Sequence, residues 1–265
     1  MTVYKGSTAL ITGASKGLGT AFATALAARG ANVVLVARST KKLEQLVQSL
    51  ASQYGVTCIA LSIDLTAPHA ARQVEQELDA RGLMVDLLVN NAGLGHSGAF
   101  LSHDVHAEQA SVQLNIQALV GLTHALGSRM AAAKRGGIIN IASNASFQPL
   151  PFMAVYAATK AFVLSFSEAL SYELARDGVQ VMAACPGPTA TNFFEGTRTR
   201  MKAADFDTAE SVVERTLSAF DRGRAVTYPG RISVRIATWL PRFFSRNTVV
   251  RIAAAATRGM GLVNA

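Results

Sequence analysis

Only two cysteines, Cys58 and Cys185, occur in 265 residues, too few for a disulfide framework. Long apolar runs are missing as well. The longest stretch without Asp, Glu, Lys or Arg runs from Gly136 to Thr159, and Asn, Gln, Ser and two prolines break it, so it would span no bilayer. The opening MTVYKGSTALITGAS sets Lys5 before an apolar run that glycine stops at strand length, unlike the h-region of a signal peptide. No Pro/Gly/Ser-rich linker and no repeat of fixed period divides the chain. Half of the residues are hydrophobic, enough for one large core. These absences lead us to expect one soluble domain, residues 1–265, in a reducing, cytoplasmic setting.

Acidic residues are absent from the end of the chain. From Arg222 to Ala265 there are eight arginines and no lysine, aspartate or glutamate, a charge equal to the net +8 of the whole chain. RISVRIATWL and FFSRNTVVRIAAAA, separated by Pro241, mix arginine with apolar positions. Two amphipathic helices there would cover a partner subunit, lie on an anionic membrane, or pack on their own domain with the arginines in solvent. The last is favoured over the membrane. For nucleic acid there is charge but no motif, so none is expected.

What is present is an alternation. Strand-length apolar runs (STALITGAS, ANVVLVAR, CIALSIDL, DLLVNNAG, GGIINIAS, VQVMAACPG) are separated by segments of helical period, including Pro68 to Arg81, Glu108 to Ala133 and VYAATKAFVLSFSEALSYELARDG. Runs such as VVLV and IINI suit strands buried on both faces. The pattern predicts an α/β, doubly wound parallel sheet, a Rossmann fold, with ligands beyond the carboxyl ends of the strands. A substrate lid is expected at about 192–225 and a helical extension at about 226–265.

The strand ends carry the chemistry. After the first strand, TGASKGLG puts Gly13, Gly17 and Gly19, with Ser15, Lys16 and Leu18, on a turn that opens a helix. That is where backbone approaches a pyrophosphate, although a tight structural turn needs glycine too. The second strand ends at Ala37-Arg38 without a carboxylate. Arg38 and Lys16 suit a ribose 2′-phosphate, so NADP(H) is expected over NAD(H), the alternative being two surface charges. YAATK sets Tyr156 and Lys160 four apart, on one helix face.

TGASKGLG (12–19), Asp64-Leu65, NNAGLG (90–95), Asn115 in LNIQ, Ser143 in INIAS, YAATK (156–160) and PGPTAT (186–191) stand in one order over roughly residues 7 to 195. In this the chain resembles the short-chain dehydrogenase/reductase family, in its short single-domain form. The resemblance implies that Tyr156 is the catalytic acid/base and Lys160 its partner, which also reaches the nicotinamide ribose. It makes Ser143 the holder of the substrate oxygen and Asn115 a link in a water-mediated proton path. Asn91, Ala92 and Gly93 are implied beside the adenosine, and Asp64 with Leu65 at the adenine. Pro186, Gly187, Thr189 and Thr191 are implied at the carboxamide. The family usually has an aliphatic residue at Thr189, so that contact would come from backbone. It also implies a homodimer or homotetramer through the helices near Asn115 and Tyr156.

The reaction expected is interconversion of a carbonyl and an alcohol on a small, hydrophobic ketone, aldehyde or oxoacyl compound. The alternatives are a silent NADP(H)-binding regulator, or an epimerase or dehydratase like the family's extended relatives. An ammonium about 4 Å from the phenol, at an effective dielectric near ~20, would favour phenolate by roughly 4 kcal/mol and bring Tyr156 near ~7, with desolvation opposing. Phe147, Phe152, Phe193, Phe194 and Met201 suggest an apolar pocket, the equally simple alternative being that they only pack the lid. Cys185 reads as a small apolar neighbour of the ring. His96, His103 and His106 have no convincing third ligand, so no metal is expected.

Overall fold

The computed structural model describes residues 4–191, 193 and 199–263. In chain order the larger elements are β1 (Thr8–Thr12), α1 (Gly17–Ala28), β2 (Asn32–Ala37), α2 (Thr40–Tyr54), β3 (Cys58–Ser62), α3 (Ala70–Ala80) and β4 (Leu87–Asn90). There follow α4 (Val105–Val112), α5 (Leu119–Ala132), β5 (Gly136–Ile141), α6 (Ala154–Ala175), β6 (Val179–Ala184) and α7 (Ala209–Asp221). The chain closes with β7 (Val226–Thr227), α8 (Ile232–Ala237), α9 (Leu240–Phe243) and α10 (Arg246–Gly259). The strands form one sheet in the order β3-β2-β1-β4-β5-β6-β7, and each pairing is parallel.

The expected doubly wound α/β fold is the one observed. Its strands are apolar throughout because successive side chains serve opposite faces. On one face Ile11, Val33 and Leu35 pack with Phe22 and Leu26 of α1, Leu43 and Leu50 of α2, and Leu217 and Phe220 of α7. On the other, Leu10, Val34, Val36 and Leu88 pack with Val74 and Leu78 of α3 and Leu122, Leu126 and Met130 of α5. The chain reverses direction across the sheet between β1 and β4. Loops leaving the neighbouring strand ends diverge there and open a crevice.

Four details differ from the sequence expectation. Helix α3 begins at Ala70 rather than Pro68, because His69 takes a left-handed conformation (φ 63°). The stretch 108–133 is not one α-helix: α4 and α5 are joined by a π-helical turn, Gln113–Ala118. The expected lid contains α7, whose Val213, Leu217 and Phe220 belong to the core, and the expected extension contributes β7 to the sheet. Asn192 and residues 194–198, with Phe194, lie outside the described residues.

Candidate active site

β1 delivers the chain into a turn in which Gly13 (φ +65°) and Gly17 (φ +57°) are left-handed. A Cβ on Gly13 would lie 2.9 Å from the Cα of Ala92, and one on Gly19 only 2.2 Å from the Gly13 carbonyl oxygen. These glycines are therefore demanded by the turn's own packing, before any ligand is considered. The turn is fastened to the β4 loop through Thr12, whose Oγ1 accepts from the amides of Asn91 and Ala92, both at 2.9 Å. The Asn91 carboxamide donates back to the Thr12 carbonyl at 2.9 Å. Lys16 caps α1 without a side-chain hydrogen bond, which leaves that end to be satisfied from the crevice.

A cavity of about 710 Å³ runs along the strand ends. One end is lined by Ser15, Lys16, Gly17 and Leu18 of the turn, Arg38, and Asp64 and Leu65 after β3. Lys42 joins them as a third cation, one the sequence reading missed because it sits within the first turn of α2. Asp64 accepts from the Thr66 amide (3.0 Å) and hydroxyl (2.8 Å); these bonds, with Arg38 nearby, hold its carboxyl below the usual range. Cations, free helix N–H groups and a glycine cradle fit the phosphates of a dinucleotide.

Beyond Asn91, Ala92 and Gly93 the cavity reaches Ser143, Tyr156 and Lys160, with Pro186, Gly187, Thr189 and Thr191 opposite. Ser143 leaves β5 in extended conformation, and its Oγ accepts from the Ala145 amide at 3.1 Å. Ser146, another residue the sequence reading did not single out, accepts from the Ser143 amide at 3.2 Å. It also donates to the Lys160 carbonyl at 2.8 Å, locking β5's end to α6. Tyr156 packs against Phe193, ring centroids 5.1 Å apart. Gly95 makes room for that pair, since a Cβ there would fall 2.5 Å from Tyr156 Cδ2.

Two expected site residues, Gly19 and Asn115, lie behind the cavity wall rather than on it. Asn115, in the π-helical turn, is 1% exposed. Its Oδ1 accepts from the Leu94 amide at 2.9 Å, and its Nδ2 donates to the Leu94 carbonyl (2.8 Å) and to Thr159 Oγ1 (2.9 Å). Thr159 in turn donates to the Tyr156 carbonyl at 2.8 Å. Asn115 thus joins the β4 loop to α6.

The expected phenol near neutrality is not what the structure gives. Burial pushes Tyr156 above its ordinary value, and a hydrogen bond with Ser143 only partly opposes this. Lys160 is 5% exposed, donates to the Ile141 carbonyl at 2.6 Å, and lies 5.9 Å from the Tyr156 ring centroid. Burial pushes its own pKa down to about 8, which weakens the charge that was to act on the phenol. Burial also drives Cys185 up to about 12, in keeping with a small apolar neighbour.

Residues 7–202 match the short chain dehydrogenase family. The chain belongs to that family. Relatives of this short-chain dehydrogenase include a very-long-chain 3-oxoacyl-CoA reductase of Phaeosphaeria nodorum, 36% identical over 67% of the chain; the chain spans 53% of that enzyme's length. Among solved structures, a short-chain dehydrogenase from Sphingobium yanoikuyae in complex with NADPH is 37% identical, with a TM-score of 0.78 over 84% of this chain and 87% of that one. The bulky-bulky ketone specific alcohol dehydrogenase from Comamonas testosteroni is also 37% identical, with a TM-score of 0.76 over 84% and 86%.

The apolar side of this dehydrogenase's cavity differs from the expectation. Phe193 and Met201 line it. Phe147 instead packs on Tyr228 (5.6 Å), and Phe152 lies under Arg258 (5.7 Å). The wall comes instead from Leu150, Met153, the carboxyl-terminal helices through Ala237, Leu240, Val249, Ile252 and Ala253, and Leu262 in the turn after α10. The three-to-four-residue spacing of Val249, Ile252, Ala253 and Ala256 was the available signal, hidden among exposed arginines. His103 donates from Nδ1 to Glu108 at 2.5 Å, with His96 edge-on at 6.0 Å. Among the described residues no group of three or more His, Cys, Asp or Glu is placed to hold a metal ion.

Proposed function

We propose that this protein is an NADP(H)-dependent oxidoreductase that interconverts a carbonyl and an alcohol on a bulky, apolar ketone, aldehyde or oxoacyl compound. One observation carries the reading: a single cavity has Lys16, Arg38 and Lys42 at one end, Ser143, Tyr156 and Lys160 at its middle, and an apolar wall beyond. The names of the relatives, with their long acyl chains, bulky ketones and NADPH, support the same reading.

In this reading Lys16, Arg38 and Lys42 hold the 2′-phosphate. Ser15, Gly17 and Leu18 surround the pyrophosphate, with Asp64 and Leu65 at the adenine. Pro186, Gly187, Thr189 and Thr191 close on the carboxamide; Thr189 Oγ1 already donates to the Gly187 carbonyl at 3.0 Å and the Thr189 carbonyl accepts from Thr191 Oγ1 at 3.4 Å, so its backbone amide is the freer donor. A bound nicotinamide would supply or take up the hydride. Ser143 Oγ donates to the substrate oxygen as charge builds there. Tyr156 gives its proton to that oxygen, and in the oxidative direction takes it back. Lys160, anchored on Ile141, holds positive potential beside the phenol while the proton moves. Asn115 acts by fixing Leu94 and α6. Self-association is part of the proposal: Phe162 and Phe166 stack 5.6 Å apart on α6, and Val105 and Val112 are exposed on α4. Sedimentation equilibrium showing a monomer throughout would remove that part.

The test is NADPH oxidation against NADH with a panel of bulky ketones, beside Tyr156→Phe. Turnover with NADPH that falls about 100-fold or more in the variant, with NADPH affinity kept, is expected. Tight NADPH binding with no turnover across the panel would favour a silent cofactor-binding protein instead.

A further inference from the structure

The carboxyl-terminal helices carry a surface that the chemistry does not use. Ile232, Ile236, Trp239 and Phe243 follow one another at intervals of four, three and four residues, and Thr238 and Trp239 keep helical backbone between α8 and α9. These four side chains lie on one side of the segment, exposed by 76%, 65%, 45% and 75%; Phe244 beside them is 48% exposed. Large apolar side chains grouped this way are rare on a surface that faces only water.

Arginines frame the patch. Arg242 lies over the Trp239 ring (4.7 Å) and Arg235 over Tyr228 (5.4 Å), while Arg246 and Arg251 are exposed on α10. Arg231 pairs with Asp207, but Arg235, Arg242, Arg246 and Arg251 have no carboxylate within salt-bridge distance among the described residues. The last acidic residue of the chain is Asp221, so the segment carries no carboxylate of its own. The patch also adjoins the cavity. Ala237 and Leu240, next to Ile236 and Trp239, line it, as does Ile252, itself 41% exposed.

We propose that α8, α9 and the start of α10 form a docking surface for an anionic lipid membrane, which seats the mouth of the cavity against the bilayer. Interfacial helices combine aromatic and aliphatic side chains with arginine in this way, the first entering the acyl boundary and the second meeting anionic headgroups. No helix among the described residues is long and apolar enough to cross a membrane; the contact proposed is a peripheral one. An apolar compound dissolved in the bilayer would then meet Ile252, Leu240 and Ala237 first.

The chain has one tryptophan, Trp239, which reports on this patch alone. The 265-residue chain is mixed at low salt with vesicles of phosphatidylcholine, or of phosphatidylcholine with phosphatidylserine. Co-sedimentation and the Trp239 emission maximum are read together. Binding to the phosphatidylserine vesicles with a blue shift, reversed by salt and reduced at least about tenfold in Arg242→Glu/Arg246→Glu, is expected. Equal binding by that variant, or no binding at low salt, overturns the proposal. So does an assembly that Ile236→Glu/Phe243→Glu disperses without any vesicle binding by the wild type, which would make the patch a contact between copies. The assay reads no turnover, so its result is separate from that of the reductase test.

Discussion

The ammonium of Lys160 is held by the Ile141 carbonyl at 2.6 Å, at the end of the strand next to Ser143. Burial there lowers its pKa from the usual 10.5 to about 8. Below about pH 8 the folded and unfolded chains both hold the proton, and the full cost of burying the charge is present. Between about 8 and 10.5 only the unfolded chain holds it, so stability rises with pH, by up to about 1.4 kcal/mol per unit. Lys160→Met removes this. Urea midpoints should favour the variant most at pH 7, with the gap narrowing toward pH 10. Since methionine leaves the Ile141 oxygen without its donor, the change of the gap with pH is the readout, and a constant gap would refute the account.

Gly95→Ala tests how the phenol is placed. Its Cβ would press on Tyr156 Cδ2 at 2.5 Å and on Phe193 Cζ at 2.9 Å. The ring must turn, and a displacement of that order costs about 100-fold in turnover. Steady-state kinetics should show this fall with a urea midpoint that moves little. A fall in stability as large as the fall in activity would mean that Gly95 serves the fold instead.

Asn115→Ala removes three hydrogen bonds at once and leaves the Leu94 amide and carbonyl unpaired. Urea denaturation should show a loss of roughly 2–4 kcal/mol. Asn115→Asp should recover only part of it, since a carboxylate accepts from the Leu94 amide but cannot donate to Leu94 or Thr159. Full stability in the alanine variant would show that the β4 loop is held by other means.

Arg38→Glu bears on cofactor choice. Arg38 lies close enough to Asp64 to lower its pKa, at the cavity end proposed for the 2′-phosphate. The ratio of kcat/KM for NADPH over NADH should drop by about 10–100-fold. An unchanged ratio would assign that selectivity to Lys16 and Lys42, or remove it.

Much of this was legible in the chain. VVLV reads as a buried strand because Val33 and Leu35 serve one core and Val34 and Val36 the other. The strand-end motifs face one cavity because a parallel sheet brings its carboxyl ends to one edge. Other features left no local mark. β7 has two residues, too few for any period. QLNIQA contains no helix breaker, so nothing in its composition signals a wide turn. The anchoring of Lys160 depends on a carbonyl nineteen residues away, which the spacing of Tyr156 and Lys160 does not encode. The helical pattern of the arginine-rich end was visible, but which face would wall the cavity was not.

The wide turn at Gln113–Ala118 lets one helix answer to two masters. Each α-helical residue advances about 100° around the axis, so one residue of surplus resets everything after it. Within the turn, the winding aims Asn115 at Leu94; downstream, it is phased to aim Leu122, Leu126 and Met130 at the sheet. Deleting one residue other than Asn115 from this stretch would leave a continuous helix, yet only one of the two phases would survive.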